Sequence, residues 1–152
     1  MMLTLVRGIT SHFRARVTEW ALAGALFGWG YILKLPSPTF DQPSYGEMAR
    51  FASEDTWGQV CFWVGLVRIV ALIVNGSIRP SYHLRAVLAF FSCFIWFQIL
   101  IGLIKVGTVS TGIAMYAVVF ALEVYNVICA FGDAGKSDRQ AAERGAAKNG
   151  RE

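Results

Sequence analysis

The apolar residues of this chain fall into four long blocks separated by shorter polar segments. The blocks cover about residues 17–35, 57–75, 84–104 and 109–131. Each block holds about 19 residues or more, which as a helix rising about 1.5 Å per residue crosses most or all of a hydrocarbon core about 30 Å thick. The pattern therefore predicts an all-α membrane protein whose four transmembrane helices occupy residues 17–131.

The segment before the first block, residues 1–16, mixes apolar and basic residues. Leu5, Ile9 and Phe13 recur every four residues, while Arg7 and Arg14 lie off that stripe. This spacing predicts a short amphipathic helix on a membrane surface. The alternative is a frayed basic N-terminus.

The polar segments after the first block differ in character. Residues 36–56 form the longest loop between blocks. Three prolines in its first half disfavour a helix there, while the later part has room for one or two helical turns. Ser53, followed by Glu54 and Asp55, is typical of a helix N-cap with acids in the first turn. The tail, residues 132–152, is polar and predicts either a frayed helical extension or a disordered segment.

Charge predicts the orientation of the blocks. With both termini on one side, ten of the 14 Lys and Arg residues fall on that side and three on the other, with Arg68 inside a block. Because basic residues accumulate on the cytoplasmic side of a membrane, both termini are predicted to be cytoplasmic and the loop 36–56 external. The net charge of +4 thus indicates orientation more than a nucleic-acid partner.

Arg68 lies within an otherwise apolar block, where an unpaired charge costs at least about 2.5–3.5 kcal/mol. On a helical wheel Gly65, Arg68 and Asn75 share one arc, with lipid-compatible side chains around the rest of the helix. Such a stripe is predicted to face a protein neighbour or a watery cavity.

The fourth block carries a matching stripe that contains Tyr116, Glu123 and Asn126. Arg68 and Glu123 lie at similar depths, within about one helical turn of 5.4 Å, if both helices run from outside to inside. The sequence therefore predicts an intramembrane Arg68–Glu123 ion pair. Two interpretations remain open: a pair that fixes which helices touch, or a polar lining for a pore or a proton path.

Two further features predict contacts at the membrane. Gly24 and Gly28 form a GxxxG spacing, which favours close helix packing. Arg79, His83 and Arg85 cluster between the second and third blocks, and they predict a contact with anionic lipid or with a cytoplasmic partner.

The chain lacks the residue patterns of enzymes and cofactor sites. It contains no GxSxG, HExxH, phosphate-binding loop or dinucleotide glycine pattern, so no catalytic residue, metal or cofactor is predicted. The three cysteines lie in apolar blocks without CxxC spacing and are interpreted as small apolar residues. The basic residues are divided among membrane edges, which disfavours nucleic-acid binding.

Residues 57–97 resemble small integral-membrane proteins of tailed bacteriophages and prophages. The shared elements are a Trp-Gly opening, a helix arginine, an Asn-Gly turn, a following proline and arginine, and a late tryptophan: Trp57, Gly58, Arg68, Asn75, Gly76, Pro80, Arg85 and Trp96. The resemblance implies a multi-pass protein of the host's inner membrane.

Within that setting, a holin-like protein that self-associates and permeabilises the membrane is the leading expectation. One alternative is a non-lytic assembly, exclusion or scaffolding module that binds a partner through its cytoplasmic loop and tail. The other is an oligomeric channel or transporter subunit.

Overall fold

A computed structural model describes residues 16–77, 82–107 and 111–149 of the chain. All regular structure in these ranges is helical, which confirms the all-α prediction, and two short 3₁₀ turns occupy the loop after α1. The α-helices are α1 Val17–Leu33, α2 Gly46–Phe51, α3 Glu54–Ser77, α4 Tyr82–Lys105 and α5 Thr111–Asn149. The amphipathic helix predicted for residues 1–16 falls outside the described residues except for Arg16.

Three of the described helices are long and apolar enough to cross a membrane. They contain the segments Glu54–Asn75, Tyr82–Lys105 and Thr111–Ala147. The second, third and fourth blocks therefore form helices with the length and apolar character of membrane spans. The first block forms α1, whose 17 residues make it shorter than these three.

The loop after α1 is held against the start of α3. Ser53 caps α3 as predicted, because its Oγ accepts a hydrogen bond from the backbone N–H of Thr56 at 3.2 Å. The carboxylate of Glu54 accepts two further hydrogen bonds, from the backbone N–H groups of Thr39 at 3.0 Å and Phe40 at 3.1 Å. The carboxylate thus ties the 3₁₀ turn to the first turn of the helix.

The four long helices pack in an up-down-up-down bundle. Contacts between the end of one helix and the start of its neighbour show that α1 is antiparallel to α3 and that α4 is antiparallel to α5. Lys34 Nζ at the end of α1 donates to Gln59 Oε1 near the start of α3 at 3.3 Å. At the opposite end of the molecule, His83 near the start of α4 lies 3.0 Å from Asp138 of α5.

We call the half of the bundle next to α2 its outer half, and the opposite end, where α4 begins at Tyr82, its inner end. The outer half has a core of bulky side chains. Leu26, Ile95, Trp96 and Ile99 belong to it, and Met48 of α2 packs on top. The Met48 side chain is 1% exposed, and its backbone oxygen accepts a hydrogen bond from Trp57 Nε1 at 3.2 Å. The short helix α2 therefore closes this end of the core.

Helices α1 and α3 approach each other closely at two glycines. A Cβ at Gly30 would lie 2.2 Å from the backbone N of Phe62, and one at Gly65 would lie 2.5 Å from that of Phe27. By contrast, no described atom outside the local backbone lies within 4 Å of a Cβ built at Gly24 or Gly28. Within one chain, the close packing predicted at Gly24 and Gly28 is therefore made by Gly30 and Gly65 instead.

Helix α5 continues through the predicted tail to Asn149 without a break. Of the two interpretations of residues 132–152, the helical extension is the one that the described part of the tail adopts. At about 1.5 Å per residue, the part of the helix after Phe131 projects about 27 Å beyond the apolar block. Its residues carry alternating charge and are mostly exposed.

We expect Gly65→Ala to destabilise the bundle, because the added Cβ would collide with the backbone of α1. Overpacking of this kind typically costs about 1–3 kcal/mol. The measurement is the free energy of unfolding in detergent, followed by helical circular dichroism.

Gly24→Ala is the matched control for this substitution. Its Cβ enters open space on the same pair of helices, and alanine favours a helix over glycine by about 1 kcal/mol, so equal or higher stability is expected. Equal losses in the two variants would contradict the close approach at Gly65.

Candidate functional site

The centre of the bundle holds a cluster of three polar side chains, one from each of α3, α4 and α5. Arg68 Nη1 donates hydrogen bonds to Ser92 Oγ at 2.6 Å and to Glu123 Oε1, and its Nη2 donates to Glu123 Oε2 at 3.0 Å. Ser92 Oγ in turn donates to Glu123 Oε1 at 2.5 Å. The guanidinium and carboxylate thus pair in the bidentate geometry that gives the strongest charge-assisted bonds.

This central cluster is sealed from its surroundings within one copy of the chain. Arg68 is 2% exposed, while Ser92 and Glu123 are both 0% exposed. The structure therefore brings together the two residues of the predicted ion pair and faces them toward protein. Sequence reasoning missed Ser92, although it continues the small-residue series Ala86 and Ala89 at a spacing of three on α4.

An aromatic layer lies between the central cluster and the outer end. Trp29 Nε1 donates to the Tyr116 hydroxyl at 3.1 Å, and the ring of Trp96 lies 5.9 Å from that of Tyr116. The buried Trp96 Nε1 has no hydrogen-bond partner among the described residues. Beyond this layer, burial raises the pKa of Tyr45 in the loop after α1, and its contact with Tyr116 raises it further.

Amide side chains form the next layer toward the inner end. Thr18 Oγ1 of α1 donates to Asn126 Oδ1 of α5 at 2.8 Å. Asn126 is 1% exposed and Asn75 of α3 is 7% exposed. Both asparagines of the predicted stripes therefore face the interior, and α1 contributes a polar residue to the same column.

A second ionic cluster lies at the inner end of the column. Arg85 Nε lies 3.1 Å from Glu19 Oε2, and Arg85 Nη2 lies 2.5 Å from Asp133 Oδ2. Arg16 Nη2 adds a longer contact to Asp133 at 3.7 Å. Glu19 Oε2 and Arg85 Nε do not have the geometry of a hydrogen bond, but their separation of 3.1 Å is that of an ion pair.

This inner cluster corrects one of the predicted lipid contacts. Arg85 is 3% exposed and its guanidinium contacts two carboxylates, so it is available neither to an anionic headgroup nor to a cytoplasmic partner. His83 is exposed and lies beside Asp138 of α5. Arg79 falls outside the described residues.

Polar groups from all four long helices thus form one internal column, while the surface of the spans is apolar. On α3 the exposed residues between Val60 and Val74 are all apolar, and the same holds on α4 between Leu84 and Ile104. Among the described residues, no three His, Cys, Asp or Glu side chains are arranged to hold a metal ion. The three cysteines are free thiols.

Comparisons with known proteins add no relative to this picture: no protein-family model matches the chain, and neither the curated proteins nor the solved structures give a significant match.

We expect Arg68→Leu and Glu123→Leu each to lower the free energy of unfolding by about 3–5 kcal/mol, because each leaves one charge buried without its partner. The double variant should lose much less than the sum of the two single losses, since it removes both charges. Denaturant unfolding of the four proteins in one detergent measures this double-mutant cycle. Additive losses would contradict a direct pairing of the two residues.

Proposed function

We propose that the protein crosses a bacterial inner membrane four times, with both termini in the cytoplasm. Helix α1 supports the fourth span because it runs antiparallel along α3, from Lys34 beside Gln59 to Phe27 packed on Gly65. Its 17 residues lie at the lower limit of about 17–25 for a transmembrane helix. The excess of basic residues on the side of the termini supports the orientation.

A cysteine placed at Ser37 should react with a membrane-impermeant maleimide in intact cells, whereas one at Gln140 should react only after permeabilisation. Both positions are exposed, one in the outer loop and one on the extension of α5. The unsubstituted protein, whose thiols lie in the apolar helices, provides the background. Labelling of Gln140→Cys in intact cells would overturn the orientation.

We propose that the protein is a non-lytic membrane module that presents a cytoplasmic helix to a partner protein. The observation that carries the proposal is the sealing of Arg68 and Glu123 inside one copy. A pore needs polar groups that face water, and the charges of these spans already bind each other. The bundle thus serves as a stable anchor.

The extension of α5 is the element that this module would present. The residues after Asp133 include Lys136, Arg139 and Arg144, which are exposed on a helix that continues directly from the membrane span. Residues 134–149 include no large apolar side chain, so the extension buries little surface and leaves its basic residues exposed to another molecule. Rim charges of this kind favour selective encounter with a partner of complementary charge.

A holin-like protein is the second candidate, and a row of small residues on the exposed side of α5 favours it. Ala114, Ala117 and Ala121 are exposed on one side of this span, beside the apolar Val118. Small residues at such spacing allow the backbones of two membrane helices to approach closely. Self-association through this face, in the phage setting implied by the resemblance, is the first step that permeabilisation requires.

High-level expression in a bacterium should leave the membrane potential and growth unchanged, because Arg68 and Glu123 are buried and bind each other instead of lining a path for water. A potential-sensitive dye followed over several hours measures this, with the double variant Arg68→Leu/Glu123→Leu in parallel. A delayed collapse of the potential with the unsubstituted protein would contradict the module and support the holin-like candidate.

The partner-binding half of the proposal is tested in the same cells. A photo-crosslinking residue at Gln140 on the α5 extension should give one discrete adduct, and the same residue at Gln42 in the outer loop should not. Both positions are exposed, so they form a matched pair. Charge reversal at Arg139 and Arg144 should abolish the adduct, and an adduct that survives it would contradict recognition by this helix.

A further inference from the structure

Helices α3 and α4 enclose an apolar groove on the surface of the bundle. The groove has a volume of about 330 Å³ and is lined by Val60 and Val64 of α3 and by Phe91, Phe94 and Ile95 of α4. Val60, Phe91 and Phe94 are 44%, 53% and 52% exposed, so the groove opens sideways, where the spans meet lipid. Its size falls within the range of about 300–1,000 Å³ that is typical of small-molecule sites.

A smaller cavity of about 80 Å³ continues the groove toward the outer end of the bundle. The two share Trp57 and Gln98, and the smaller one reaches Lys105 in the last turn of α4. Gln98 is half-buried, and its side chain lines both cavities. The path therefore becomes more polar from the groove to the end of α4: the groove is apolar, Gln98 adds an amide and Lys105 adds a cation.

Near Lys105 the walls of this path are formed by close packing of α2 against α4. Gly102 of α4 lies so near Met48 that a Cβ there would meet Met48 Cγ at 2.8 Å. The same residue, Met48, holds Trp57 through its backbone oxygen. Helix α2 thus fixes the walls around Gln98 and leaves the side that faces the bilayer open.

We propose that this path binds one phospholipid, with an acyl chain in the groove between α3 and α4 and an anionic phosphate headgroup at Lys105. The apolar wall and the cation at one end match an amphiphile of this polarity, and the bilayer supplies it at the height of the last turn of α4. The inference rests on the membrane placement under the proposed function but requires neither a partner nor a pore. With the proposed orientation, the lipid belongs to the external leaflet.

The test is native mass spectrometry of the purified full chain titrated with phosphatidylglycerol or with phosphatidylcholine. One phosphatidylglycerol should bind in preference to phosphatidylcholine. Lys105→Gln should weaken phosphatidylglycerol binding by about fivefold, the effect expected from one lysine near an anionic lipid surface. Val60→Trp should abolish the preferred site, because the indole fills the groove.

Two control substitutions make the same changes of side chain at positions that do not line the groove. Val67→Trp adds the same bulk two turns further along α3, at a residue that is 46% exposed and does not line the groove. Lys34→Gln removes the lysine at the outer end of α1. Both should bind as the unsubstituted protein does, and helical circular dichroism checks that each variant is folded.

Equal binding by Val60→Trp and Val67→Trp would overturn the proposal, as would equal affinity of Lys105→Gln and Lys34→Gln for phosphatidylglycerol. A dimer that Val60→Trp disrupts, without bound lipid, would assign the groove to a second copy instead. The same preparation separates this inference from the proposed function. Recovery from the inner-membrane fraction without preferred lipid refutes only the groove, whereas recovery outside the membrane refutes the placement itself.

Discussion

The pairing of Arg68 with Glu123 is the constraint on which the arrangement of the long helices depends. A charge in a membrane span is costly unless it has a partner, and the bidentate contact supplies one from the helix two positions later in the chain. Ser92 joins both groups and brings α4 into the same contact. Any arrangement that separates α3 from α5 or turns α4 away leaves a buried charge or hydroxyl without its bonds.

The two halves of the bundle satisfy this constraint with different packing. The outer half fills its core with large side chains such as Trp96 and Ile99, and α2 closes it. In the inner half α4 and α5 meet through Ala86, Ala89 and Ala130, which bring the helices together where Arg85 joins Glu19 and Asp133. Small residues therefore accompany the ion pairs, because short polar contacts between helices require close backbones.

The sequence was most informative where polar residues were rare. Arg68 and Glu123 stand out in apolar blocks, so a helical wheel and a depth estimate were sufficient to pair them. Glu19 and Asp133 have the same role at the inner end, but they adjoin polar segments, where charged residues carry no such signal. The sequence therefore predicts a lipid or partner contact for Arg85, since it does not show which cations at a helix end are covered by other side chains.

The sequence did not determine which glycines lie at the contact between helices or how far the last helix extends. The GxxxG motif at Gly24 and Gly28 indicates small residues, but only the packed structure shows that Gly30 and Gly65 face the neighbouring helix. The tail left helix and disorder open, because its alanines favour a helix and its glycines and charges do not. Its described part continues α5, where a helix already formed in the membrane spares the cost of starting a new one.

A sealed core also limits where function can reside. Turning Arg68 or Glu123 outward to line a pore would break the three-helix contact and expose each charge to lipid unless other copies supplied water or a counterion. Every copy would lose the free energy of this ion pair, so contacts between copies would have to provide stabilisation of comparable size. The surfaces that need no such rearrangement are the α5 extension and the groove between α3 and α4. Both are accessible while the ion pair stays intact, so contacts at either surface leave the three-helix cluster unchanged.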